Sequence, residues 1–415
     1  MSGLRSLFVT PDFKPDRGGI AELYLNLLLR FPPGSVEVST VAAPSWARAA
    51  GWRDDVPFPV RRERFGFREA RRLQTVAAWA RSARRRVRAG GHAVVQVGTL
   101  RPATPIGAWV RRTEGVPFVV YVHGKDVLHE TAKVERSRLY RAAARPALGA
   151  ASAWIANSRF TAGLVAELGA AAGLPDLAER VRVVRPGADP ARFRPAGGAP
   201  DAGRSLPDAA GLRAAELRRR LDLGDRRVAL TVARLMPRKG VDRTLEAVAQ
   251  LAAELPDLVY VVAGDGPQRP ELERRASAPD LAGRVRLLGD VEDPDVPALH
   301  RLADVFLLPS RREPGDEVEG FGMSLVEASA SGLPVIGGRS GGVPEAVREG
   351  ETGLLVDGDD PRSIAAALRR LLEDPELRRR LGHAGRREVE RTLNWDRAAA
   401  EAWGVVEDVA GRGGL

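Results

Sequence analysis

The stretch VALTVARLMPRKGVDRTLEAVAQ, residues 228 to 250, holds the unit from which the rest of the chain can be read. Its first part, Val228 to Ala233, is a run of strand length, apolar except for Thr231. A turn containing Pro237 follows, and a helical pattern then runs over 240–253. Continuous apolar strands of this kind belong to sheets covered on both faces, where each parallel strand returns through a helix. The turn carries Arg234 and Lys239 at the strand's carboxyl end. An arginine grips phosphate oxygens through two N–H groups and a lysine adds a compact charge, so the pair suits a departing diphosphate. Taken alone, such a pair is ordinary surface charge.

The same alternation extends in both directions. Downstream, strands are expected at Val259–Ala263, Val285–Leu288, Val305–Leu308, Pro334–Ile336 and Leu354–Val356, with helices at 295–302, 322–331 and 361–373. Upstream, they are expected at Leu7–Thr10, Val36–Val41, Ala93–Val97, Phe118–Val122, Ala153–Ala156 and Val181–Val184. Helical patterns among these include Ile20–Leu29, Thr131–Leu148 and Arg159–Leu168. Between the two series lies AGGAPDAGRSLPDAAG, residues 196 to 211, rich in Gly, Pro and Ala and without periodicity. It reads as an interdomain linker. The expectation is an α/β chain of two Rossmann-like, doubly wound parallel-sheet domains facing a central cleft. Residues 1–195 form the first domain, 196–224 the linker region and 225–394 the second domain, with 395–415 a C-terminal helix packing back towards the first. A length of 415 residues also favours two or three domains over one core.

The run EGFGMSLVEASASG, residues 319 to 332, sets Glu319 and Glu327 eight positions apart around a Phe-Gly turn that feeds a helix. The turn through Gly322, Met323 and Ser324 offers backbone N–H groups and a positive dipole end, which suit a phosphate. Two carboxylates cannot bind that phosphate, and they fit better as acceptors for hydroxyls on either side, such as a sugar and a ribose. A nucleotide-sugar has that layout; an ordinary helix start with two solvated acids is the plainer alternative.

In the first domain, Gly18 and Gly19 precede a strong amphipathic helix, so a ligand can approach the backbone there. Taken alone the pair is a weak signal and an ordinary tight turn is the plainer reading, and neither a G-x-G-x-x-G nor a G-x-x-x-x-G-K-[ST] motif occurs. His123 ends the apolar run Phe118–Val122 and precedes Gly124. That position suits a hydrogen bond to a sugar hydroxyl or to developing charge, with a structural cap as the alternative. The other histidines lack ligand spacing and there is no cysteine, so no metal site is expected and no disulfide framework exists.

The charge is uneven. Residues 1–195 carry net +16 and residues 196–415 net −6, which together give +10. Residues 61–88 hold 11 arginines against Glu63 and Glu69, with Leu73, Val76, Ala77, Ala80, Ala83 and Val87 at helical spacing. This 61–88 basic helix is either a docked helix with a solvated face or a contact for an anionic membrane surface. Nucleic acid is not expected as a partner, because interleaved aromatics and a recognisable binding module are lacking. No secretory leader pattern or long apolar run is present, so the expected location is cytoplasmic, with association at the inner face of the plasma membrane open through the basic helix.

These pieces, in the order GGI, YVHGKD, VARLMPRKG and EGFGMSLVEASASG, resemble the retaining GT-B glycosyltransferases of family 4. NSRFT at 157–161, RPGADPARFRP at 185–195, VVAGDGP at 261–267 and GGRSGGVPEAV at 337–347 extend the resemblance over nearly the full length. It implies that Glu319 contacts the donor sugar, Glu327 the nucleotide ribose, and Arg234 with Lys239 the diphosphate. It further implies Gly19 beside the diphosphate, His123 near the transferred sugar and Val291 near the nucleobase. The SRREPGDEVEGFG stretch and the basic first half look most like GDP-mannose-dependent mannosyltransferases that act on phosphatidylinositol mannosides.

The expectation that follows is a retaining hexosyl transfer, of mannose from GDP-mannose, to a hydroxyl acceptor that is a glycolipid or cell-envelope glycan. No cofactor and no divalent metal are expected. A nucleotide-sugar epimerase or hydrolase on the same fold, or a non-enzymatic peripheral membrane-binding protein, are the alternatives.

Overall fold

The computed structural model describes residues 3–412 apart from Arg17, Ala50, Phe67, 197–207, Asp316 and Glu317. The chain divides into two compact units: residues up to Pro186 together with those from Trp395 onward, and Gly187–Asn394.

The first unit is built on a seven-stranded parallel sheet: β1 (Ser6–Val9), β2 (Val36–Thr40), β3 (Val60–Arg62), β4 (Val94–Val97), β5 (Phe118–Val122), β6 (Ala153–Ala156) and β7 (Val181–Val183). Its spatial order is β3-β2-β1-β4-β5-β6-β7. The direction of winding reverses between β1 and β4, where Phe8 pairs with Val38 on one side and Gln96 on the other. Such a switch leaves a crevice beyond the carboxyl ends of the two central strands. Strands β1, β4, β5 and β6 are buried along their whole length, as near-continuous apolar runs require.

The second unit repeats the plan with six parallel strands: β8 (Arg227–Val232), β9 (Leu258–Ala263), β10 (Val285–Gly289), β11 (Val305–Leu308), β12 (Val335–Gly338) and β13 (Gly353–Val356). The order is β10-β9-β8-β11-β12-β13, with the switch between β8 and β11. Two apolar cores cover its faces, one around Val228, Leu230, Phe306 and Leu325, the other around Ala229, Leu245, Tyr260 and Leu368.

Several expectations are corrected. The 61–88 segment is not one helix: Val60–Arg62 is an edge strand, Glu69–Arg71 a short 3-10 turn, and the helix spans Leu73–Gly90. Arg62 enters the sheet edge because its guanidinium meets Asp54 at 2.6 Å and the Val41 carbonyl at 3.1 Å. The helix buries Trp79, Ala80, Ser82, Ala83 and Val87, while Leu73 is 87% exposed. The Thr131–Leu148 pattern is two helices, Lys125–Arg136 and Arg138–Gly149. Ser137 separates them in extended conformation and caps the second, its side chain accepting from the Tyr140 amide.

Of the linker region 196–224, residues 197–207 lie outside the described residues. Asp208 caps a helix at Ala209–Arg220 that buries Ala214 and Leu217 in the second unit. The change of unit falls at Pro186/Gly187, so 187–195 sit with the second unit. There Ala188 bridges Asn394, and Arg386 donates to the carbonyls of Pro190 and Phe193. The C-terminal helix, Trp395–Arg412, packs on the helix Gly19–Leu28 of the first unit, with Phe31 and Trp403 rings 5.1 Å apart and Arg30 paired to Asp396 at 2.8 Å.

Candidate active site

In the second unit, the turn after β8 and the loop after β11 bring opposite charges together. Lys239 ends a 3-10 turn, Pro237–Lys239, and Glu319 precedes the helix Met323–Ala330. Lys239 Nζ donates to Glu319 Oε2 at 2.5 Å, and Arg238 Nη1 donates to the same oxygen at 2.6 Å. Burial raises the Glu319 carboxyl, but Lys239 and Arg238 outweigh it and hold the group below the usual carboxylate range. Burial pushes the Lys239 ammonium below the usual lysine range; Glu319 opposes the shift and Arg238 adds to it.

The backbone around Glu319 is fixed from two sides. Its carbonyl accepts from the Gly342 amide at 3.0 Å, and a Cβ on Gly341, at φ +58°, would lie 2.1 Å from that carbonyl oxygen. Gly322, at φ +98°, turns the chain into the helix as its N-cap. Only glycine holds that conformation without strain, and it leaves the first-turn amides of Met323 and Ser324 facing outward from the helix start. Glu327 lies one turn further on, partly buried. Val291 follows β10 and packs at the margin of the core.

Arg234 stands apart from this cluster. It is exposed and makes no ion pair among the described residues. The structure thus joins Lys239 to Glu319, adds Arg238, and leaves Arg234 solvated. Sequence reasoning misses Arg238, where it is one more basic residue in a turn. A third arginine, Arg311, is buried and pairs with Asp242 at 2.8 Å and Glu313 at 2.5 Å. Its amide donates to the Arg238 carbonyl at 3.0 Å, tying the loop that leads to Glu319 onto the basic turn.

In the first unit, Gly18 caps the helix Gly19–Leu28, its amide held by Asp16 at 3.3 Å. A Cβ on Gly18 would meet nothing nearer than the Asp16 carboxylate at 3.8 Å, so the fold itself does not demand a glycine there. What the missing side chain leaves is open approach to the helix N-terminus.

His123 follows β5 and is partly buried. Its amide donates to Asp126 Oδ1 at 3.0 Å, and its Nε2 lies 2.6 Å from Tyr24 Oη. Burial pushes its ring below the usual histidine range, against Asp126 and the Gly98 carbonyl, which pull the other way. Nothing in the sequence singles out Tyr24, since a tyrosine at apolar helical spacing reads as core. Beside His123 runs a crevice lined by Leu23, Leu27, Ile155, Asn157, Trp395 and Ala398. No group of three or more His, Asp or Glu side chains placed to hold a metal ion occurs among the described residues.

The basic segment is partly consumed inside the unit. Arg84 and Arg88 (2.5 Å) share Glu114, Arg86 reaches Glu37 at 3.1 Å, and Arg62 takes Asp54. Arg81 and Arg85, one turn apart on the helix Leu73–Gly90, remain exposed and without an ion pair among the described residues. No helix among the described residues is long and apolar enough to cross a membrane.

Comparison with known proteins gives two family matches that divide the chain. Residues 17–192 match Glycosyltransferase Family 4, and residues 214–388 match Glycosyl transferases group 1. A GDP-mannose-dependent alpha-(1-6)-phosphatidylinositol monomannoside mannosyltransferase of Mycolicibacterium smegmatis is 34% identical over 388 residues, covering 92% of each chain. A D-inositol 3-phosphate glycosyltransferase of Salinispora tropica is 35% identical over 76% of this chain and 64% of its own. Among solved structures, Anabaena Alr3699/HepE in complex with UDP and glucose superposes with a TM-score of 0.74 at 20% identity, covering 97% of this chain and 99% of that one.

Proposed function

Since the chain belongs to the family 4 glycosyltransferases of the GT-B fold, we propose that it moves mannose from GDP-mannose to a hydroxyl of a phosphatidylinositol-mannoside-type glycolipid, with retention of anomeric configuration. The observation that carries the reading is the Lys239–Glu319–Arg238 cluster beside a glycine-turned helix start. It presents a carboxylate for sugar hydroxyls, cations for a diphosphate and helix-start amides for a phosphate within the second unit.

In this reading the second unit holds the donor. Glu319 accepts from the sugar, Glu327 from the ribose, and Val291 lies by the base. Lys239 and Arg234, with the amides of Met323 and Ser324, take up charge on the leaving diphosphate. The first unit holds the acceptor and contributes His123 to the transferred sugar and Gly18–Gly19 to the phosphates. The acceptor hydroxyl loses its proton to a leaving-group oxygen as the new glycosidic bond forms and the sugar–phosphate bond breaks. The cations supply the electrostatic stabilisation, so a divalent metal is not required. The lipid acceptor is supported by identity to the mycobacterial relative over 92% of the chain and by the exposed Arg81 and Arg85, which suit anionic lipid at the inner side of the plasma membrane.

The test is a product screen of purified protein with GDP-mannose, UDP-glucose and UDP-N-acetylglucosamine, with and without a phosphatidylinositol mannoside and with EDTA. Mannosylated lipid of retained configuration, insensitive to EDTA, is the expected result. Sugar release that ignores the acceptor points to a hydrolase, and a changed donor sugar points to an epimerase. Transfer from a UDP-sugar alone removes the mannose assignment.

A further inference from the structure

Tyr24 is fully buried in the helix Gly19–Leu28, yet its hydroxyl is not idle. Its ring stands edge-on to Phe8 at 4.8 Å and to Tyr121 at 5.7 Å, so it has one orientation. In that orientation Oη contacts both the Gly98 carbonyl and His123 Nε2. Gly98 follows β4 and His123 follows β5, neighbouring strands whose carboxyl ends the tyrosine spans.

Proton counting decides what this junction does. A carbonyl oxygen only accepts, so the contact between two oxygens, Tyr24 Oη and Gly98 O, requires the tyrosine proton to lie between them. Tyr24 has no second proton to give. Its contact with His123 Nε2 must then be made by an N–H on the imidazole, with the phenol oxygen accepting. Burial holds the phenol well above its usual range, so it keeps that proton. The Gly98 carbonyl, in contact with Oη, also favours a proton on the His123 ring. No hydrogen bond to Nδ1 occurs among the described residues, so in the neutral ring that nitrogen keeps its lone pair.

We infer that Tyr24 is a positioning residue that fixes His123 as the Nε2–H tautomer, so that Nδ1 meets the substrate as a hydrogen-bond acceptor. The ligand group this selects is a hydroxyl that donates, such as one on the transferred sugar, and not an anionic oxygen. The assignment of a sugar hydroxyl rests on the transferase reading above; the tautomer itself does not. Burial of the ring favours its neutral form and works in the same direction.

The experiment is a long-range proton–nitrogen correlation spectrum of the 15N-labelled full chain, without donor or acceptor, with His123 assigned by its loss in His123→Gln. A proton-bearing signal at Nε2 and a lone-pair signal at Nδ1 are expected. Tyr24→Phe keeps the ring and removes Oη; it should move population to the Nδ1–H tautomer. The same variant should lower kcat about five- to tenfold with little change in acceptor KM, as expected for one misdirected neutral hydrogen bond. A wild-type proton on Nδ1, or a Tyr24→Phe spectrum identical to wild type, overturns the inference. Since the spectrum needs no turnover, failure of the transferase assay is a separate result. If the expected tautomer is seen, transfer is active and Tyr24→Phe leaves kcat unchanged, the role of Nδ1 towards the sugar is overturned.

Discussion

Lys239 Nζ sits 2.5 Å from Glu319 Oε2, although 80 residues separate the two in the chain. The sequence assigns them different parts of a donor, the diphosphate and the sugar. In the structure they pair with each other. Arg238 donates to the same oxygen at 2.6 Å, so the Glu319 carboxylate has a second cation beside it and would not become an isolated buried charge if the Lys239 contact were lost.

Lys239→Ala and Arg238→Ala should therefore separate. On the proposed reading, loss of Lys239 removes a cation from the leaving group and should lower kcat on the order of 10²–10³-fold. Its effect on stability should be smaller than for a fully broken buried pair, about 1–3 kcal/mol, since Arg238 still neutralises Glu319. Arg238→Ala should leave more activity than Lys239→Ala. Initial rates with saturating donor, alongside urea melts, check both; equal rates in the two variants would remove the distinction.

Gly341→Ala tests how tightly the Glu319 backbone is set. The position is at φ +58° and the new Cβ would fall 2.1 Å from the Glu319 carbonyl oxygen, a backbone atom that cannot swing aside. A loss of about 2–4 kcal/mol is expected, together with activity. Gly322→Ala carries the strain of φ +98° but meets only the end of Leu325 at 3.0 Å, so it should lose less stability. Paired denaturation curves decide the order.

Where the sequence was readable, burial had written it. The central strands are near-continuous apolar runs because both faces of each sheet are covered, and Phe118–Val122 carries the pattern in full while Val228–Ala233 is broken only by the buried Thr231. Val60–Arg62 was not readable: an edge strand with two arginines has no apolar signal, and what keeps it there is Asp54. Glu319 and Lys239 were legible as residue types at telling positions, but not their contact. Tyr24 was illegible because its partners, Gly98 and His123, lie 74 and 99 residues away.

Arg81 and Arg85 give the lipid reading its own test. Replacing both by glutamine should leave folding intact, since both are exposed and neither carries an ion pair among the described residues. At about 1 kcal/mol per arginine, removing two favourable charges should weaken binding to phosphatidylserine-containing vesicles roughly 30-fold. Wild-type binding should also fall as salt rises. Co-sedimentation measures both. Unchanged vesicle binding in the double variant would leave the pair as solvated charge.

Three histidines contribute to the response to acid. His92, His123 and His300 are all pushed below the ordinary histidine range, mainly by burial, and His300 is brought down to about 3. A depressed folded value means that the unfolded chain binds the proton more readily. The stability contributed by each neutral ring is therefore complete above the ordinary histidine value of about 6.5 and is lost as pH falls through the window down to its folded value. For His300, packed between Phe193 and Phe306, that window runs from 6.5 to about 3 and is worth about 3–5 kcal/mol in full. The His300→Phe variant cannot take up the proton and should unfold with a shallower fall in stability between about pH 6.5 and 4. Urea denaturation at stepped pH reads the slope directly. A variant whose slope matches wild type would show that His300 does not carry the acid response, and the fall would then belong to other groups, among them His92, His123 and the Glu319 carboxyl.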